Sequence, residues 1–393
     1  MLRAGVGYSV NRDSRQAAVE ATNAALLQAG LRQATGALYF ATSVHGGAYP
    51  LILRTIAAQA ATAEVAGCSA SGVIACEREL ESGPAIAVLV FGGGALSAKR
   101  LFAPGLRGRA EEIGRELAQS ARPALGRTNL LFLFPDTYNL EAEPLLSSLA
   151  RELPQVALVG GGATEDGSIG ETFQFCGDVV SSNSVSGMLL AGDFDLNLGA
   201  SVACQPLGRC HRVTVARENV LIELDGRPAF EVFAEAIGPL AADLRRAAAF
   251  VFLGVPLDSG CERLERGRYL VRNILAASEE RGVLAVAYRP QVGEMLGLLL
   301  RDGERAREDL KLMLEETAPA SGGNPAFGLY FDCIGRGSNL YGIPNHDTAY
   351  IRQSLGPIPL AGFFTGMEIG PLGDTTSPLQ YSGVLALVSE SQT

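Results

Sequence analysis

Arg336 stands between Gly335 and Gly337, directly after the apolar, aromatic-rich run Phe327–Cys333. A run of that length and composition reads as a buried strand. The two glycines let the backbone turn tightly and approach a ligand, while the guanidinium projects a fork suited to a carboxylate or another anion. Strand ends in α/β sheets are where ligands commonly bind. A charge on so rigid a base is expected to reach water or to meet an anion. The plain alternative is a glycine-rich turn carrying a solvated arginine. Cys333 beside it is a candidate nucleophile, because a neighbouring positive charge favours the thiolate. His346 is the histidine near it in sequence. Glu368 lies at a second glycine-rich strand end, residues 365–371, and could receive an ammonium group, although such a glutamate is more often a structural hydrogen-bonding residue.

The elements that would position these groups follow from pattern. Asp13 and Gln16 have the spacing of a capping box, alanines recur at helical spacing to residue 25, and Gly30 is a natural stop. A strand (37–43), a helix (50–63), a glycine turn (67–72, Gly-Cys-Ser-Ala-Ser-Gly) and a strand (85–91) follow. The same order recurs as a helix (110–121), a strand (129–134), a helix (141–153), a glycine turn (160–164, Gly-Gly-Gly-Ala-Thr) and a strand (187–191). Repetition at a period of about 93 residues predicts two fused α/β half-units, about 1–102 and 103–200, with Gly67 and Gly160 at equivalent strand ends. Both turns would offer N–H groups and hydroxyls to an anion; neither carries the Gly-Lys-Ser/Thr ending of a P-loop. Beyond a boundary near 207–218, the pattern predicts strands at 248–253, 269–274, 283–288, 294–300 and 360–364. Helices are predicted at 229–237, 303–316 and up to 355, with a loop at 321–325. The expected fold is α/β in two domains: residues 1–215, an internally duplicated α/β unit, and residues 216–393, a mixed-sheet α/β domain.

Composition narrows the partners. The net charge of −10 and the presence of only two lysines, Lys99 and Lys311, exclude the basic clusters that nucleic-acid binding needs. No apolar run approaches the ~20 residues that span a bilayer, and the opening residues lack a signal-peptide core, so a cytoplasmic protein is expected. Seven scattered cysteines form no Cys-x-x-Cys pair, which indicates neither a zinc knuckle nor a disulfide framework. All but Cys333 read as small buried hydrophobes.

Five segments in order resemble the FIST family, the paired FIST-N and FIST-C domains of bacterial sensory proteins and some eukaryotic F-box proteins. They are residues 65–72 (Val-Ala-Gly-Cys-Ser-Ala-Ser-Gly), 159–166 (Val-Gly-Gly-Gly-Ala-Thr-Glu-Asp), 271–275 (Val-Arg-Asn-Ile-Leu), 331–337 (Phe-Asp-Cys-Ile-Gly-Arg-Gly) and 355–371, which ends Gly-Met-Glu-Ile-Gly-Pro. The resemblance implies a small-molecule sensing module, with amino acids as suggested ligands and a pocket formed by Gly67, Cys68, Ser69, Cys333, Arg336, Gly337 and Glu368. Gly161, in the second glycine turn, joins that set. Relatives carry Gly before the Glu-Ile-Gly-Pro glutamate, where this chain has Met367.

Three functions follow as expectations. The leading one is a ligand-binding sensory protein with no catalytic residue, no cofactor and no metal, acting in intracellular signal transduction through a separate protein partner. The second is an enzyme with Cys333 as nucleophile. The third, implied by haem-binding members of the family, is a haem sensor using His45, His211 or His346.

Overall fold

The computed structural model describes residues 1–318 and 325–391, so the loop expected at 321–325 lies largely outside the described residues. The chain is a two-domain α/β protein of mixed sheets. Its two compact units are residues 1–200 with 311–378 and 382–393, and residues 201–310 with 379–381.

The first unit opens with β1 (Arg3–Ser9), α1 (Ser14–Ala29), β2 (Gly36–Thr42), α2 (Tyr49–Ala60), β3 (Val65–Ala70), a hairpin of β4 (Val73–Ala75) and β5 (Arg78–Leu80), and β6 (Ile86–Gly92). The order then repeats as β7 (Ser97–Pro104), α3 (Ala110–Ala121), β8 (Thr128–Pro135), α4 (Ala142–Glu152), β9 (Ala157–Gly161), the hairpin β10 (Gln174–Cys176) and β11 (Val179–Ser181), and β12 (Ser184–Gly192). The expected duplication is present, and a third copy accompanies it. That copy starts with β13 (Phe194–Val202) and resumes, after a long excursion, with further elements.

The excursion is the second unit. It contains β14 (Cys204–Arg217), β15 (Val220–Leu224), β16 (Arg227–Pro228), α5 (Ala229–Ile237), α6 (Leu244–Phe250), β17 (Val251–Pro256), β18 (Tyr269–Ser278), β19 (Val283–Val286) and β20 (Met295–Arg301). Its strands run β14-β20-β17-β18-β19-β15-β16, and an extra β14–β15 pairing closes an antiparallel barrel. Phe230, Phe233 and Ile237 of α5 join Val213, Leu253, Leu284 and Leu298 in its core. Residue 215, where the sequence pattern set the boundary, lies within β14, and the second compact unit begins at residue 201.

The third copy resumes with α7 (Gly303–Thr317), β21 (Phe327–Cys333), a one-turn α8 (Gly337–Tyr341), α9 (His346–Leu355), β22 (Leu360–Thr365), the hairpin β23 (Glu368–Leu372) and β24 (Thr375–Leu379), and β25 (Ser382–Glu390). The sheet orders match: β1-β6-β2-β3, β7-β12-β8-β9 and β13-β25-β21-β22. Each sheet is then extended by a hairpin from another copy: β10-β11 beside β3, β23-β24 beside β9, and β4-β5 beside β22.

The copies share one tight contact. The parallel second and third strands pair Tyr39 with Gly67, Leu133 with Gly160 and Tyr330 with Gly362. A Cβ on these glycines would lie 1.7, 2.0 and 1.7 Å from the partner's carbonyl oxygen, so only glycine fits. Gly67 is thus a mid-strand residue rather than part of the turn its neighbours suggested. The next residues, Phe40, Phe134 and Phe331, are fully buried and meet Phe363 with ring centroids 4.7, 6.0 and 5.6 Å from its ring.

Local chemistry builds the flanking layers. The Asp13 side chain accepts the Gln16 N–H at 2.8 Å, while the Asp13 N–H goes to Asn11 Oδ1, so the cap holds without its reciprocal half. Side chains at Gly5 and Gly7 would strike the α1 backbone at 2.2 and 2.1 Å, which is why an alanine-faced helix lies flush on β1. Among the described residues no helix is long and apolar enough to cross a membrane.

Gly362→Ala should prevent β21–β22 pairing and cost about 3 kcal/mol or more in urea unfolding. Gly47→Ala, where a Cβ would meet no atom within 4 Å, should change stability by less than about 0.5 kcal/mol.

Candidate functional site

The strand Phe327–Cys333 predicted from sequence forms as β21, and Arg336 follows it, but the guanidinium reaches neither water nor an open cleft. It is fully buried, and the anions it meets belong to the chain. Its Nη2 lies 2.7 Å from Asp347 Oδ2, and its Nε donates to the same oxygen at 3.1 Å. Nη2 also donates to the Tyr341 hydroxyl at 2.9 Å. Asp332 Oδ1 is 2.9 Å from Nε, an ion pair without a hydrogen bond, because the single Nε–H is directed at Asp347. Tyr330 donates to Asp347 Oδ2 at 2.8 Å, and His346 Nδ1 lies 2.9 Å from Asp347 Oδ1. The His346 ring stacks on Tyr341 with centroids 3.5 Å apart.

Local structure places these groups. Asp347 sits in the first turn of α9, where the helix dipole favours a negative charge. Gly337 is left-handed at φ 53°, and a Cβ there would lie 2.9 Å from the Glu81 carboxylate. Glu81 comes from the end of the first copy's hairpin and receives the Ser338 N–H at 3.1 Å and its hydroxyl at 2.6 Å. In the same hairpin Glu79 accepts the Thr348 N–H at 2.8 Å, capping α9 from another copy.

Glu368 approaches from the other side of β21, at the start of β23, opposite Gly161 of β9. Its Oε2 accepts the Ser382 N–H at 3.1 Å and the Ser382 hydroxyl at 2.5 Å, and the Cys333 thiol lies beside it. Met367 packs against the core of the second copy, and its carbonyl accepts the Gly162 N–H at 2.9 Å.

Arg336 is therefore buried with four acids, Asp347, Asp332, Glu368 and Glu79. Burial would raise the Asp347 carboxyl, but Arg336 and the His346 and Tyr330 hydrogen bonds outweigh it and hold it well below the usual range. Burial, reinforced by Asp347, pushes Asp332 far upward against the pull of Arg336. Burial also pushes Glu368 up to about 8 and, with help from Asp347, Glu79 to about 7. Both Asp332 oxygens, Glu368 Oε1 and Glu79 Oε2 are buried without a hydrogen-bond donor. Arg336 faces two carboxylates, Asp347 and Asp332, and the net effect of the surroundings disfavours the charged form of every acid in the cluster but Asp347.

The first glycine turn and the donors of the second are committed within the chain. Cys68 is fully buried, and Ser69 donates to the Thr164 carbonyl at 3.1 Å while accepting the Phe173 N–H at 2.9 Å. The N–H groups of Ser69, Gly162, Ala163 and Thr164 go to the carbonyls of Phe173, Met367, Pro135 and Ser69. The donors expected to be open to an anion are thus internal. Of the sequence-predicted residues, the fold brings together Arg336, Gly337, Cys333 and Glu368, with Gly161 opposite Glu368. Among the described residues, no group of three or more His, Cys, Asp or Glu side chains could hold a metal ion.

The raised Glu368 carboxyl fixes a pH dependence. The unfolded chain releases the Glu368 proton near 4.5 and the folded chain near about 8, so the folded state binds more protons in between. This contribution is complete below that window and falls by about 1.4 kcal/mol per pH unit across it. Urea unfolding from pH 5.5 to 8.5 should show falling stability with rising pH, and Glu368→Gln should flatten the slope. Arg336→Ala strands the Asp347 carboxylate and should cost about 3–5 kcal/mol.

Two family models match the chain in consecutive stretches. The FIST N domain matches residues 36–227 and the FIST C domain residues 229–371. An uncharacterised protein of Mycobacterium tuberculosis is 30% identical over 98% of this chain and 99% of its own length. One from Mycobacterium bovis is 29% identical over 98% of both chains. Among solved structures, cyanuric acid hydrolase from A. caulinodans aligns over 100% of both chains at 10% identity with a TM-score of 0.36. With both domains matched in order over most of its length, the chain belongs to the FIST family, whose domains are generally sensory and ligand-binding.

Proposed function

We propose that this chain is a cytoplasmic small-molecule sensor that takes an amino acid, or another small carboxylate, at the cluster of Arg336, Asp332 and Glu368. It passes the signal to a separate protein partner. The observation that supports this reading is a fully buried arginine among acids, which the described residues show in one copy of three. Apolar residues of similar volume usually serve stability as well as a buried ion pair does. At the position after the axial phenylalanine, the other copies manage with Ala41 and Pro135 where the third has Asp332. The donor-less oxygens of Asp332 and Glu368 match the N–H groups of an ammonium, and Arg336, exchanging its bond to Tyr341, matches a carboxylate. Gly337, which opens α8, and Gly342, which follows it, are both left-handed and would serve as the hinge about which access opens. Gly161 pairs with Glu368 across β9 and β23, and on this reading Gly67, Cys68 and Ser69 of β3 serve the fold around the site.

The Cys333 thiol beside Glu368 favours a second reading, a nucleophilic enzyme in which Glu368 takes the thiol proton. Selective labelling of Cys333 by iodoacetamide at neutral pH would support it.

Thermal shift and calorimetry with amino acids, their des-amino acids and their decarboxylated amines test the sensor reading. Compounds carrying both groups should raise the melting temperature, and Arg336→Lys, which keeps the charge but loses the fork, should weaken binding about tenfold or more. Glu368→Gln should abolish the preference for the amine. If all three compound classes leave the melting temperature unchanged, the reading fails.

A further inference from the structure

Two cysteines that sequence spacing leaves unconnected face each other in the barrel unit. Cys210 on β14 and Cys261 in the loop between β17 and β18 are both reduced, with their sulfurs 3.9 Å apart. Their segments are already tied, since the Cys210 N–H donates to the Glu262 carbonyl at 2.8 Å. Bond formation at about 2.05 Å needs the sulfurs to close by only about 2 Å. Both sides can give: Cys210 lies where β14 slips register against β20, between Leu207 and His211, and Cys261 follows a turn in which its N–H meets the Asp258 carbonyl at 3.2 Å.

We propose that Cys210 and Cys261 are a redox modification site, forming a reversible disulfide by exchange with a low-molecular-weight disulfide of the glutathione type. Cys261, the more exposed partner, attacks as the thiolate and expels one small thiolate, leaving a mixed disulfide. Cys210 then gives its proton to the departing thiolate and attacks the Cys261 sulfur, expelling the second small thiol. Two protein thiols are oxidised and one small disulfide is reduced to two thiols. Burial, and next the Cys261 thiol beside it, hold the Cys210 thiol up at about 12, so Cys261 attacks first, and the part due to the Cys261 charge is removed once Cys261 is in the mixed disulfide. The residue after Cys210 is His211, whose Nδ1 lies 2.9 Å from Asp225 Oδ2 and which lines a groove with Arg209 and Glu235. The bond would stiffen the bulge that presents Arg209 and His211 to that groove.

The test treats the full chain with oxidised glutathione, followed by intact mass and a non-reducing digest. The expected product is lighter by two hydrogens, with the peptides carrying residues 210 and 261 joined, a higher melting temperature, and full reversal by dithiothreitol. Cys210→Ser should stop at a glutathione adduct on Cys261, and Cys261→Ser should give neither product. A wild-type chain that retains the adduct, cross-links other cysteines or does not react would overturn the proposal.

Discussion

A strand lying directly against its neighbour's carbonyl oxygen is the constraint from which the first unit is built. It recurs three times, at Gly67, Gly160 and Gly362, and at each the absence of a Cβ lets the third strand seat on the second. The following residue of each second strand is a phenylalanine, and these rings close on one another around Phe363. Filling the centre brings the ends of the three second strands close together. The loops beyond them carry His45, Asp136 and Arg336, all buried, so the most interesting residues are products of the same packing that shuts the middle of the unit.

The copies diverge at that point. Asp136 receives the Tyr138 N–H at 2.9 Å and the Asn183 N–H at 2.7 Å, so its carboxylate is fully supported by nearby chain. His45 meets the Ser14 hydroxyl at 2.9 Å, and burial lowers its basicity. Among the described residues, the end of β21 is where several acids, one of them Glu79 from the first copy, surround a buried cation with oxygens that lack a donor. In a low-dielectric interior such an arrangement responds strongly to any added proton or cation, which is how a rigid fold can be made sensitive at one place.

Much of this was legible in the residues. The second and closing strands of the first two copies, and β21 itself, announce themselves as apolar runs, whereas the third strands read as glycine turns. The first strand of each copy does not: β7 is an edge strand of alternating exposure, β13 is interrupted by Asp195 and Asn197, and β1 is half glycine and alanine because α1 lies flush on it. The third copy was hidden because the barrel separates β13 from α7. Gly67 looked like a turn because the sequence cannot reveal which carbonyl it must admit. Arg336 was found, but Asp347 and Glu79 were not recognised as its companions, since one lies beyond an intervening helix and the other comes from a different copy. The facing of Cys210 and Cys261 was invisible for the same reason, depending on a strand irregularity that places residues 51 positions apart side by side.

The hairpin extensions run in one sense: the first copy completes the third sheet, the second completes the first, and the third completes the second. No copy holds its own outer strands, so none presents a finished sheet by itself. Three separate chains exchanging an element in a closed ring would have this geometry, that of a domain-swapped trimer. Joined in one polypeptide, the ring is released from symmetry, because each position once shared by identical subunits becomes three independently variable ones. A trimer would have to carry Asp332 and Arg336 at all three positions or none, whereas a single chain can carry them once.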